Sequence, residues 1–172
     1  MYRKEESLVT FTFCDNLQSI CLNLDNKTIK MPTRQSTDTL LKQAFELHQK
    51  EDIKAATTLY EKILSINPTE PDALNLLGLI YYNNDEFDQA FKLHSMAIES
   101  KPGVADFHNN LGNVYLRLEQ FDLAMEQFLA ANQLAPSYSA AIANIGTVYQ
   151  ETNQLKKALE QYNKALSIDP KL

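Results

Sequence analysis

Tryptophan is missing from the chain altogether, and cysteine occurs only twice, at Cys14 and Cys21. Two thiols near one end cannot staple a disulfide-rich fold. They show neither Cys-x-x-Cys spacing nor a neighbouring histidine, so they support no metal centre and no nucleophile and point to a reducing, cytoplasmic setting. Long apolar runs are also missing. No stretch approaches the ~20 residues that a bilayer-spanning helix needs. Leu8–Cys14, broken by threonines and followed by no small-residue cleavage site, does not read as a secretory signal. Basic clusters are absent as well. Five of the 16 Lys and Arg residues and four of the 22 Asp and Glu residues lie in 1–36, which leaves 11 and 18 in 37–172. An acidic body without a Lys/Arg cluster is a poor partner for nucleic acid or an anionic membrane.

What is present is a period of 34 residues. Gly78, Gly112 and Gly146 fall in one column, Tyr81, Tyr115 and Tyr149 in another, then Ala90, Ala124 and Ala158, then Ala97, Ala131 and Ala165. Pro68, Pro102, Pro136 and Pro170 close the units. A fixed period of this length marks stacked supersecondary units. The units are 37–70, 71–104, 105–138 and 139–172, and residues 1–36 stand outside them. In that leading segment Val9–Phe13 alternates as a strand would, and Ile20–Leu24 is its expected hairpin partner. Met31 offers a second start, which would make residues 1–30 no part of the working protein.

Each unit divides into two helices. In the third, His108, Leu111 and Tyr115 share one helical face, and Phe121, Ala124, Phe128 and Ala131 share a face on a second helix. Leu118–Gln120 is the turn between them. Asp72 and Asp106 stand ahead of their apolar stripes, where a carboxylate is expected to cap free N–H groups. The prolines end each second helix. Glycine within a helix costs about 1 kcal/mol against alanine, so its recurrence implies that a larger side chain would strike the neighbouring helix. A single unit is too small to bury its own apolar faces, and stability is expected from contacts between neighbours.

These units resemble the tetratricopeptide repeat (TPR). The resemblance rests on Leu77-Gly78, Tyr81, Ala90 and Pro102; on Leu111-Gly112, Tyr115, Ala124, Phe128 and Pro136; and on Ile145-Gly146, Tyr149, Ala158, Tyr162 and Pro170. The first unit departs from the pattern, with Gln43-Ala44 and Leu47, but keeps Ala56, Tyr60 and Pro68. The family's frequent early Trp is replaced by Leu40, Leu74, His108 and Ile142. The resemblance implies an all-α, right-handed superhelical solenoid of four antiparallel helix pairs, preceded by an irregular or hairpin-like segment.

No catalytic constellation, metal site or cofactor site emerges. His94 shares a column with Tyr60, Phe128 and Tyr162, and His108 with Leu74 and Ile142, so both are expected to be packing residues. The acidic residues near the turns, Asp52, Asp85, Glu86, Asp88 and Glu119, read as a solvated surface. The polar face of the first helices is different. Asn110, Asn113 and Arg117 follow helical spacing, Asn144 is equivalent to Asn110, and Asn75 is equivalent to Asn109. In the family this face lines a concave groove that takes extended peptides. Side-chain amides offer both a donor and an acceptor and can hold a peptide backbone without reading its side chains. Replacing Asn110 and Asn144 by alanine is then expected to weaken a partner with little change in melting temperature.

The triplets 110–112 and 144–146 are similar to repeats of O-linked N-acetylglucosamine transferases, which implies a second reading as the substrate-recruiting segment of a larger glycosyltransferase. The basic clamp by which other TPR adaptors hold acidic chaperone tails is not matched. Its two places carry Leu41, Asn75, Asn109 and Ala143, and Lys42, Leu76, Asn110 and Asn144. Solenoids usually end in a polar capping element, whereas Pro170–Leu172 follows the last unit directly, which reads either as the front piece of a longer protein or as a face open to self-association. The expected function is a non-enzymatic interaction module, an adaptor or scaffold for a protein or peptide partner.

Overall fold

In the computed structural model of the chain the described residues are 34–172, with side chains from 37, together with the backbone of 23–24 and 27–28. Asn23–Leu24 (β1) pairs antiparallel with Lys27–Thr28 (β2), Asn23 opposite Thr28 and Leu24 opposite Lys27. The expected strand Val9–Phe13 and the alternative start at Met31 lie outside the described residues. Eight helices follow among the described residues: α1 Arg34–Gln49, α2 Ile53–Ile66, α3 Pro71–Asn83, α4 Phe87–Ser100, α5 Ala105–Arg117, α6 Phe121–Leu134, α7 Ser139–Glu151 and α8 Leu155–Ile168.

The two helices of each unit are joined by three residues, so they must run back antiparallel and pack on each other. The four turns are built alike. The middle residue of each is left-handed, at Glu51 (φ 63°), Asp85 (60°), Glu119 (57°) and Asn153 (59°). The N–H of the next residue returns to the carbonyl of Leu47, Tyr81, Tyr115 or Tyr149, closing the end of the first helix. Second helices stop at Ile66, Ser100, Leu134 and Ile168, two residues before the prolines. The residue before each proline has left the helical region, and Asn67 and Asp169 are extended, as the proline ring favours. Asp72 and Asp106 do not cap. The capping positions are Glu70 and Val104, neither making a side-chain cap bond, and the two aspartates sit inside the first turn. Among the described residues Asp52 is the side chain that caps, accepting from the Ala55 N–H at 3.2 Å.

Packing follows the stack. Each second helix touches the first helix of the following unit, and the first helices α3 and α5, and α5 and α7, touch each other directly. First helices therefore form the inner layer. The apolar clusters cross the unit boundaries: Tyr60 and Ile63 pack with Leu77 and Ile80, Ala97 with Leu74 and Phe107, and Phe128 with Ile145 and Val148. Tyr60 and Phe128 are completely buried, and each such burial is worth about 2–3 kcal/mol. The glycine column has the expected cause. A Cβ on Gly112 would stand 2.5 Å from Phe128 Cε1, and one on Gly78 would stand 2.9 Å from His94 Cε1. The atom met belongs to the aromatic-column ring rather than to the small Ala90 and Ala124 of the same partner helices.

Candidate functional site

The inner layer carries most of the polar residues singled out in the sequence, and it binds them to one another. Asn75 and Asn109 are nearly buried, 8% and 5% exposed, while Asn110, Asn113 and Asn144 are half-buried. Asn110 Nδ2 donates to Asn75 Oδ1 at 2.9 Å. Asn144 Nδ2 donates to both Asn109 Oδ1, at 2.9 Å, and Asn113 Oδ1, at 3.0 Å. These bonds join neighbouring units, but not at equivalent positions, since each spans 35 residues or 31 rather than 34. The Asn110 and Asn144 carbonyl oxygens and the Asn113 amide hydrogens keep no partner among the described residues and face the inner surface with their hydrogen-bonding capacity unspent.

Asn75 Oδ1 also meets His94 Nδ1 at 3.1 Å. A carbonyl oxygen only accepts, so Nδ1 carries the proton and the imidazole is the neutral Nδ1–H tautomer. His94 is completely buried, its Nε2 has no hydrogen-bond partner among the described residues, and burial pushes its pKa down to about 4. The packing role expected of it is what the core shows. His108 is half-buried instead and works as a polar tie, with Nε2 donating to the Pro102 carbonyl at 3.0 Å and Nδ1 3.0 Å from Gln127 Oε1.

Arg117 stands apart from the amides. Its guanidinium donates to Asp85 Oδ1 at 2.8 Å and lies 4.9 Å from the Phe87 ring centre and 5.9 Å from that of Tyr82. It therefore clasps the turn of the preceding unit at the edge of the stack. Its pKa is raised, chiefly by the Tyr82 hydroxyl, with burial opposing and Asp85 adding to the rise.

A groove of about 440 Å³ opens between the middle of α1 and the N-terminal turns of α3 and α5. Its apolar lining comes from Leu41, Phe45, Leu76, Val104 and Phe107, with Asn75 at the floor and Asp38, Asp72, Asp106 and Lys42 around it. Of the six residues named from the sequence, only Asn75 reaches this groove. The aspartates were legible as a column 34 residues apart, a signal obscured because two of them stand where helix caps are common. Among the described residues no group of three or more His, Cys, Asp or Glu side chains could hold a metal ion, and no helix is long and apolar enough to cross a membrane.

Residues 103–171 match the family described as tetratricopeptide repeat, and residues 49–131 match anaphase-promoting complex, cyclosome, subunit 3. Among solved structures the chain is similar to MamA, at 25% identity and a TM-score of 0.70, over 78% of this chain and 79% of that one. It shares its fold with pilF of Pseudomonas aeruginosa, at 23% identity and a TM-score of 0.72, over 79% and 62% of the two chains. A mutant of the O-GlcNAc transferase of Thermobaculum terrenum is 30% identical with a TM-score of 0.65, over 69% of this chain but only 23% of the transferase. No curated protein matches the sequence.

Proposed function

The chain carries tandem tetratricopeptide repeats, and on that premise we propose that it is an adaptor or scaffold that holds an extended segment of a protein partner along its inner surface. The observation that carries this reading is the set of part-exposed amides on α5 and α7, whose free oxygens and hydrogens line one face at intervals fixed by the stack. Asn110, Asn113 and Asn144 meet the peptide backbone. Asn75 and Asn109 act from beneath by holding Asn110 and Asn144 in place, and Arg117 braces the edge.

The inter-unit bonds alter what a substitution should do. Removing Asn110 and Asn144 leaves Asn75, Asn109 and Asn113 with fewer partners, so Asn110→Ala with Asn144→Ala should cost about 1 kcal/mol of stability at each site as well as weaken the partner. A photo-crosslinker at Asn113 should capture a partner that one at the outer-surface Glu126 does not, and the double variant should bind that partner at least tenfold more weakly well below its melting temperature. Equal capture at both positions would count against the inner surface.

A second reading, a substrate-recruiting array within a larger glycosyltransferase, is favoured by the likeness to the Thermobaculum terrenum transferase. A catalytic domain in the same reading frame separates it from the adaptor.

A further inference from the structure

The inner surface is not uniform along the stack. Reading α1, α3, α5 and α7 at equivalent positions gives Leu41, Asn75, Asn109 and Ala143, then Lys42, Leu76, Asn110 and Asn144, then Phe45, Leu79, Asn113 and Thr147. Apolar groups dominate at the first two units and amides at the last two. At the apolar end Phe45 is 45% exposed and, with Leu41, Leu76 and Phe107, forms the groove of about 440 Å³. Around this groove stand Asp38, Asp72 and Asp106, all exposed.

None of these carboxylates forms an ion pair among the described residues. Asp106 has a phenol beside it, since the Tyr138 pKa is raised first by burial and then by Asp106, but a phenol neutralises no charge. Among the described residues Lys42 is the one cation of the lining. An apolar concavity edged by three carboxylates and one ammonium rejects an acidic segment by repulsion and desolvation, and rewards apolar side chains that alternate with cations.

We propose that this groove docks a peptide segment whose apolar side chains enter between α1, α3 and α5 and whose Lys or Arg side chains pair with Asp38, Asp72 and Asp106. The inference rests on the inner surface being the binding face, and it names the chemical class of the occupant. Leu41, Leu76 and Phe107 bury the apolar side chains. The carboxylates, one per unit, sort the sign of charge and set the register, and the amides of α5 and α7 then hold the backbone that continues beyond the groove.

The test is fluorescence anisotropy on the full chain, with a labelled 12-residue peptide of alternating Leu and Lys and its counterpart with Glu for every Lys. The Lys peptide should bind and the Glu peptide should not. The groove variant D38N/D72N/D106N should weaken the Lys peptide about tenfold or more, the order that three exposed ion pairs supply together. An outer-surface control with the same change of charge, E86Q/D122N/E126Q, should shift it less than about twofold, with both variants checked for folding by circular dichroism. Equal weakening by the two variants, or equal binding of the two peptides, would overturn the proposal. A peptide of Leu and Ser that binds both charge variants as it binds the parent, yet is lost in N110A/N144A, would also overturn the charge assignment while sparing the inner surface as the binding face. Peptides indifferent to every inner-surface variant would remove both.

Discussion

His94 is the residue at which packing and polarity meet. The column that holds tyrosine or phenylalanine in the other units holds an imidazole here, sealed in the core and tied through Asn75 to Asn110 on the inner surface. Its folded pKa is lowered to about 4 by burial, against about 6.5 in an unfolded chain. The unfolded state therefore takes up a proton first as pH falls. The stability contributed by the neutral ring is intact above about 6.5 and is lost between there and about 4, a difference on the order of 3 kcal/mol. Denaturant midpoints at pH 7 and pH 5 should differ for the parent chain and converge for His94→Phe. Phenylalanine fits because Phe128 occupies the same place against Gly112. An unchanged pH dependence in the variant would assign the effect to other groups.

At the level of the helices, each boundary is a seam between a second helix and the next first helix, and the seams are not equally good. The column of Leu64, Ile98 and Leu166 holds Asn132 on α6, and its Oδ1 is buried without a hydrogen-bond partner. A buried unsatisfied carbonyl costs about 1–3 kcal/mol, and the two equivalent positions before it show that an aliphatic side chain suits the seam. Asn132→Leu should raise stability by about 1 kcal/mol or more, and hydrogen exchange should place the gain in α6 and α7. A loss of stability would mean that the amide is satisfied by a water the seam needs. The helix bounds and turns themselves were largely legible beforehand, down to the 118–120 turn, because 34-residue columns of glycine, tyrosine and proline report them directly. The caps were not, since Asp72 and Asp106 look in sequence like capping residues but stand at the second helical position, two residues after the capping places.

For the whole molecule, the stack offers two unlike surfaces. The inner one is divided into an apolar, acidic half and an amide half. The outer end at α8 exposes Leu155 and Leu159, each 61%, and Leu166, 44%. Residues equivalent to Leu159 and Leu166 in the third unit, Met125 and Asn132, lie partly buried at the seam with α7. An exposed leucine stripe of this kind favours association, with a further helix and with a second copy alike. Light scattering should then show mass rising with concentration for the parent chain and a constant monomer mass for Leu159→Glu. A parent chain that stays monomeric at high concentration would exclude the second copy.

The repeat, the alternation of helices and the crowding at the glycine column were determined by sequence alone. Each depends on contacts within one unit, or between two units placed alike, so the same cause leaves the same mark every 34 residues. The tertiary structure decided the rest. The sequence aligns Asn110 with Asn144 and Asn75 with Asn109, but the bonds run from Asn110 to Asn75 and from Asn144 to Asn109, across columns rather than along them. That one-residue offset is a property of how the units stack, which no single unit encodes. The same stacking brings α1, α3 and α5 together around one groove and turns a row of separated aspartates into its rim, and it sets Arg117, at the end of α5, against the turn of its neighbour.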